Sequence, residues 1–251
     1  MWRKSLIMPS LILSVVACVV TETTGLHPAS DEERLQAHLE LARGYLENRD
    51  VARARKPLGR AFDIDSSSWE VHDLYGLIFE MEGESKLADQ HFKRALRSDP
   101  RNARVLNNYG AFLYGQGRYR DARKRLEKAT EDPNYVGRSQ VYENLGLVMM
   151  RLGEVEEAER AFQRSLMLNS AQGQATFELA EIYFDRGAFD IARQYYDAYR
   201  DVVRQGPRSL WLGIRLGRVY ADEDAVASYS MQLRNLYPGT REFELYQESL
   251  Q

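Results

Sequence analysis

A spacing of 34 residues runs through this chain and constrains what it can fold into. Ala42, Gly76 and Gly110 lie 34 apart, Gly146 follows after 36, and Ala180 after another 34. Three positions on from each stand Tyr45, Phe79, Leu113, Met149 and Tyr183. Twelve on stand Ala54, Ala88, Ala122, Ala158 and Ala192; sixteen on stand Leu58, Phe92, Leu126, Phe162 and Tyr196. Small residues let two antiparallel helices approach closely, and the large ones fill the space between them. Four columns in step across five copies predict an all-α superhelix, an α-solenoid of about six helix-turn-helix repeats in which each repeat packs only on its neighbours.

A small-large-small-large pattern at this period is the tetratricopeptide (TPR) signature. The repeats fall at about residues 35–68, 69–102, 103–136, 139–172 and 173–206, with a two-residue insertion at Gly137-Arg138. A degenerate sixth unit covers 208–241, with its register expected to slip by a residue or more. A short helix is expected over 242–250. Gly83, Gly117, Gly153 and Gly187 occupy one fixed place in the hairpin turns, where a left-handed backbone is often required. Repeat 1 has Arg49 there, flanked by the turn formers Asn48 and Asp50. Pro100 and Pro133 mark the ends of second helices. Asp63 and Asp65, followed by Ser66-Ser67-Ser68, read as the end of one helix and the cap of the next.

Residues 1–17 are expected to be a signal peptide. Arg3 and Lys4 precede a short apolar run from Leu6 to Ala17, too short to span a bilayer as a helix. Val15-Val16-Ala17-Cys18 resembles a bacterial lipobox, and Cys18 is the only cysteine. Cleavage before Cys18 would leave its thiol to carry covalent lipid. Residues 18–31 then form a lipidated, polar tether holding Gly25 and Pro28, and 32–251 the repeat domain. With no second cysteine there is no internal disulfide, and stability must come from stacking. Val19 follows the cysteine. In bacterial lipoproteins an aspartate there favours retention at the inner membrane, so its absence implies the outer membrane, facing the periplasm.

Little chemistry is present, and the chain reads as a non-enzyme. No strand carries a Gly-rich loop, and no nucleophile-base pair is evident. His38 and His72 share a repeat position but read as polar-tipped packing residues, since nothing completes a ligand set. No metal, cofactor or small-molecule substrate is expected. The net charge of −3 gives no overall pull toward nucleic acid. The useful surface is the concave groove lined by first helices, at places three before, one after and four after the small residue. The expected contacts are Leu39, Leu46, Leu77, Asn107, Tyr114, Leu147, Met150 and Phe177, an apolar strip suited to an extended or helical peptide or to an apolar segment of a membrane-bound partner. Inter-repeat packing is the competing reading of each. Asn108 and Asn144, two before the small residue, are expected to tie helices together.

Beyond the repeat pattern, several stretches resemble the TPR lipoprotein family of type IV pilus biogenesis and stability, the pilotins of the pilus secretin. They include 101–114 (RNARVLNNYGAFLY), 141–148 (VYENLGLV), 192–197 (ARQYYD), 212–216 (LGIRL) and 236–239 (LYPG). The resemblance runs from Leu41 to Tyr246. It implies a partner, the type IV pilus secretin, which members help to reach the outer membrane and assemble into its ring. Two other classes stay open: a general periplasmic TPR scaffold for cell-wall or outer-membrane assembly, and a lipoprotein activator bound to an enzyme. Neighbouring pilus genes, or loss of twitching on deletion, favour the first reading; co-purification of an enzyme favours the last.

Overall fold

The computed structural model describes residues 29–251, which form thirteen α-helices and no strand. Six antiparallel hairpins follow in chain order: α1 (Asp31–Glu47) with α2 (Val51–Ile64), α3 (Trp69–Met81) with α4 (Ser85–Ser98), α5 (Ala103–Gly115) with α6 (Tyr119–Ala129), α7 (Arg138–Leu152) with α8 (Val155–Leu168), α9 (Gly173–Asp185) with α10 (Phe189–Val202), and α11 (Pro207–Val219) with α12 (Glu223–Leu236). A last helix, α13 (Arg241–Glu248), packs on α11 and α12. The all-α TPR solenoid expected from the 34-residue period is the fold observed.

The small column is where each hairpin closes. A Cβ added at Gly76 would lie 2.7 Å from the Phe92 ring, at Gly110 2.6 Å from Cγ of Leu126, and at Gly146 2.5 Å from the Phe162 ring. Those large residues are fully buried. The sixteen-residue partnership read from the sequence is therefore a physical contact in three successive repeats.

The turns obey the same period. Gly83, Gly117, Gly153 and Gly187 have φ between 71 and 79°, which glycine adopts without steric cost. Arg49 and Ala221 take the same conformation, at φ 56 and 52°. Ala221 lies 34 residues after Gly187, so the turn of the sixth hairpin stays in register. What slips is the packing pair. Gly213 takes the small place one residue early, with its absent Cβ 2.8 Å from the Tyr229 ring, while Ile214 is buried against Leu233.

Three local features complete the framework. Ser30 and Glu33 form a reciprocal capping box at the start of α1, with Ser30 N–H donating to the Glu33 carboxylate at 2.7 Å. Ser68 caps α3 through the Val71 N–H, and Asp65 accepts from the Ser67 N–H at 2.8 Å. Helix α6 has 11 residues against 14 in α4 and α8, and the connection to α7 is correspondingly long. Of the two inserted residues only Gly137 lies in that connection, at the N-cap of α7; Arg138 is the first residue of the helix. Pro57 sits inside α2, where it removes one backbone hydrogen bond, and its ring is buried.

Candidate protein-interaction groove

Three places on each first helix were expected to face the groove, and the structure separates them. The place three before the small residue is closed throughout. Leu39, Asp73, Asn107, Glu143 and Phe177 are all buried. Leu39, Asn107 and Phe177 are therefore packing residues and offer no free surface. Leu46, four after the small residue of repeat 1, is also buried. The reason is curvature. Successive first helices touch one another as well as their own second helices, and that column lies on the line of contact.

Where the buried column is polar, it bonds across the junction. Nδ2 of Asn108 donates to both carboxylate oxygens of Asp73, at 3.0 and 3.1 Å. Nδ2 of Asn144 donates to Oδ1 of Asn107 at 2.9 Å. The Glu143 carboxylate accepts from the Ala175 N–H at 3.0 Å, satisfying a free donor at the start of α9. The two asparagines thus tie helices together, as their place in the repeat predicts. Their partners, Asp73 and Asn107, were not legible as such, because each bond joins residues more than 30 apart.

The other two places stay accessible. Leu77, Tyr114, Leu147 and Met150 are half-buried and rest on the core, and Ala111 is exposed. They form an apolar strip across α3, α5 and α7. Tyr114 accepts a hydrogen bond from Nε of Arg151 at 3.1 Å, and that guanidinium lies 5.9 Å from the ring centre. Between α1 and α5 the strip opens into a depression lined by Arg43, Leu46, Asp73, Leu77, Met81 and Arg104. Leu46 thus contributes its edge to the depression wall although it is buried.

Two carboxyls near this depression, Asp73 and Glu80, stand three before and four after Gly76, at places the sequence assigns to the groove. Burial pushes Glu80 up to about 6. Burial also pushes Asp73 up to about 6, against the Asn108 hydrogen bond and the neighbouring Arg104 and Arg43, which favour its charge.

Past α8 the groove changes character. Arg208 donates to Glu178 at 2.9 Å and pairs with Glu181. Arg215 reaches Glu181 at 3.3 Å and Asp185 at 3.5 Å, with its guanidinium 4.5 Å from the Phe184 ring centre. Within this network Glu181 stands at the place that Leu77, Ala111 and Leu147 hold in repeats 2 to 4, and Arg215 covers Phe184, so the open strip ends at α7. Of the two histidines read as packing residues, His72 is buried. His72 pairs with His91 on α4 and not with His38. Among the described residues no group of three His, Cys, Asp or Glu side chains is arranged to hold a metal. Cys18 lies outside the described residues.

The repeated hairpins and the strip along their first helices define a TPR protein, a class built to hold other proteins. Tetratricopeptide repeat models match residues 39–103, 101–168 and 143–209. The type IV pilus assembly protein PilF of Pseudomonas aeruginosa is 44% identical over 216 residues, covering 86% of each chain. The solved structure of P. aeruginosa PilF matches with a TM-score of 0.84 at 43% identity, over 87% of this chain and 99% of that one. The structure of PilW, described as a widely conserved type IV pilus biogenesis factor, matches at 0.73 with 25% identity, over 85% and 98%. The chain belongs to the PilF/PilW family of TPR proteins.

Proposed function

We propose that this chain serves type IV pilus biogenesis as a pilotin: a lipoprotein, anchored through Cys18 in the outer membrane and facing the periplasm, that carries the pilus secretin there and promotes its assembly into a multimeric ring. The observation that carries this reading is 44% identity with a type IV pilus assembly protein along 86% of both chains. The groove supports it physically. A secretin subunit whose barrel has not closed exposes apolar surface and unpaired strand edges, and both invite aggregation. The strip of Leu77, Ala111, Tyr114, Leu147 and Met150 is an apolar surface on a curved helical frame, suited to cover such a segment in transit. Tight binding is not required, because two partners held at one membrane meet at high effective concentration.

Deleting the gene tests the proposal. Secretin should then remain monomeric or in the inner membrane, and surface pili should be lost. Normal heat-stable secretin multimers in the deletion strain would count decisively against it.

A further inference from the structure

The second helices carry cations on their outer face at a fixed register. Seven and eleven residues after the turn residues Arg49, Gly117 and Gly153 stand Lys56 and Arg60, Lys124 and Lys128, and Arg160 and Arg164; after Gly83 the same places hold Gln90 and Arg94. Residues four apart lie on one side of a helix, so each pair points the same way. All of these cations except Lys128 are exposed. Three nearby carboxylates are committed to other cations: Asp89 to Lys93 and Arg118, Asp121 to Arg118, and Glu127 to Arg123; Asp63, Glu131 and Glu156, three or four residues from Arg60, Lys128 and Arg160, offset part of the charge without forming an ion pair. Of the seven, only Arg160 has an ion-pair partner among the described residues, Glu157. The pattern stops at α10, where the two places hold Gln194 and Ala198. A chain of net charge −3 has thus gathered an excess of positive charge on one face of four successive repeats.

Two further observations decide what this face fits. Neighbouring packed helices stand roughly 10 Å apart, so the cations form a shallow, spread array without a cavity for a single small anion. Next to it are exposed apolar side chains: Met167 and Leu168, three and four residues after Arg164, are 76 and 41% exposed. Cations mixed with exposed apolar side chains suit a membrane interface. No Phe, Tyr or Trp of α2, α4, α6 or α8 is exposed, so nucleobases would find nothing to stack on.

We propose that the outer face of repeats 1 to 4 rests on an anionic phospholipid surface, with its cations against lipid phosphates and Met167 and Leu168 among the headgroups. This binding is separate from any acyl chain on Cys18. It would turn the groove, on the opposite side, away from the bilayer.

Vesicle flotation of the full chain carrying Cys18→Ser tests this, with pure phosphatidylcholine vesicles compared against equimolar phosphatidylcholine and phosphatidylglycerol. The apolar residues 6–17 are common to every sample, so the readout is the difference between the two vesicle types. Binding to the anionic vesicles should exceed binding to the neutral ones by about tenfold or more and weaken with salt, as expected for several cations near an anionic surface. Adding Lys56→Glu, Arg94→Glu, Lys124→Glu and Arg164→Glu together should abolish that preference. Glutamine at the same four sites should reduce it, and gives the readout should the glutamate set lose helicity. Equal binding to both vesicle types, or a preference that survives both sets, overturns the proposal. So does salt-sensitive binding to duplex DNA without preference for anionic vesicles, which would reassign the face to nucleic acid.

Discussion

His72 and His91 share one hydrogen bond, with their Nδ1 atoms 3.2 Å apart and their rings 5.1 Å between centres. Such a bond needs one Nδ1 to donate and the other to accept, so the accepting ring must be neutral and the two rings cannot both be protonated. Burial, then the neighbouring His72 and Arg94, hold His91 down to about 4. Burial lowers His72 as well, with Arg94 and Arg97 adding to it. The unfolded chain takes up these protons first, near the ordinary histidine value of 6.5. Stability from this pair is therefore complete above pH 6.5 and lost as pH falls from there toward 4. The variant His91→Phe keeps a ring beside Tyr75 and Phe79 and cannot be protonated. Its stability relative to wild type should improve on acidification across that window by about 1 kcal/mol, a figure reduced because half of the ring stays hydrated. Urea melts at both ends of the window measure it, and a constant difference between the two proteins would refute the pair's role. Asp73 and Glu80, both raised to about 6, act in the opposite direction, which is why the variant comparison is needed.

Gly110→Leu should loosen or unfold the array. Even a Cβ there meets Leu126 at 2.6 Å, and overpacking of a closed core costs roughly 1–3 kcal/mol or more. Gly110→Ala is the milder probe and should fall in the lower part of that range. A thermal melt by circular dichroism that matches wild type for the leucine variant would show that this contact does not hold the hairpin closed.

Replacing the exposed strip should weaken partner capture without unfolding the chain. Leu77→Glu with Tyr114→Glu puts two charges on half-buried places and should keep most of the helix content. Secretin recovered from detergent-solubilised envelopes should fall about tenfold or more, since a few apolar anchors dominate such interfaces. Full capture by the folded double variant would move the contact off the groove.

Asn108→Leu removes the donor that satisfies the Asp73 carboxylate. A buried acceptor left without its partner costs about 1–3 kcal/mol. Because the folded carboxyl titrates at about 6, the loss should be larger with Asp73 ionised than with it protonated. Denaturant titrations well above and well below that value provide the comparison. A loss that does not change with pH would mean that Asp73 is not the group left stranded.

Cys18→Ser should leave the protein unprocessed or unlipidated and remove it from the outer-membrane fraction. If the serine variant still fractionates with the outer membrane as wild type does, the lipid-anchor proposal is wrong.

The fold was largely written in the spacing, because the residues that close each hairpin are sixteen apart in one chain segment and repeat together. Gly76 with Phe92 and Gly110 with Leu126 are of that kind. The turn at Ala221 was hidden by its residue type, since alanine does not advertise a positive φ, although its distance from Gly187 gives it away. The groove was half legible. Counting from the small residue finds the inward-facing places, but whether one is open or closed depends on how steeply successive repeats rotate, a quantity set by contacts between residues such as Asn144 and Asn107. That rotation buried Leu39, Asn107 and Phe177 and left Leu77, Tyr114, Leu147 and Met150 at the surface.

The cross-junction bonds from Asn108 to Asp73, Asn144 to Asn107 and the Ala175 N–H to Glu143 have a mechanical meaning. They sit at the inner edge of the coil, one junction after another. A bond of this sort contributes about 1 kcal/mol net, so thermal agitation can stretch one while its neighbours hold. The coil is then a spring of modest stiffness whose pitch lengthens in small steps. A cargo slightly too bulky for the resting groove would be taken in by elastic opening, with no helix unwound and no hairpin undone.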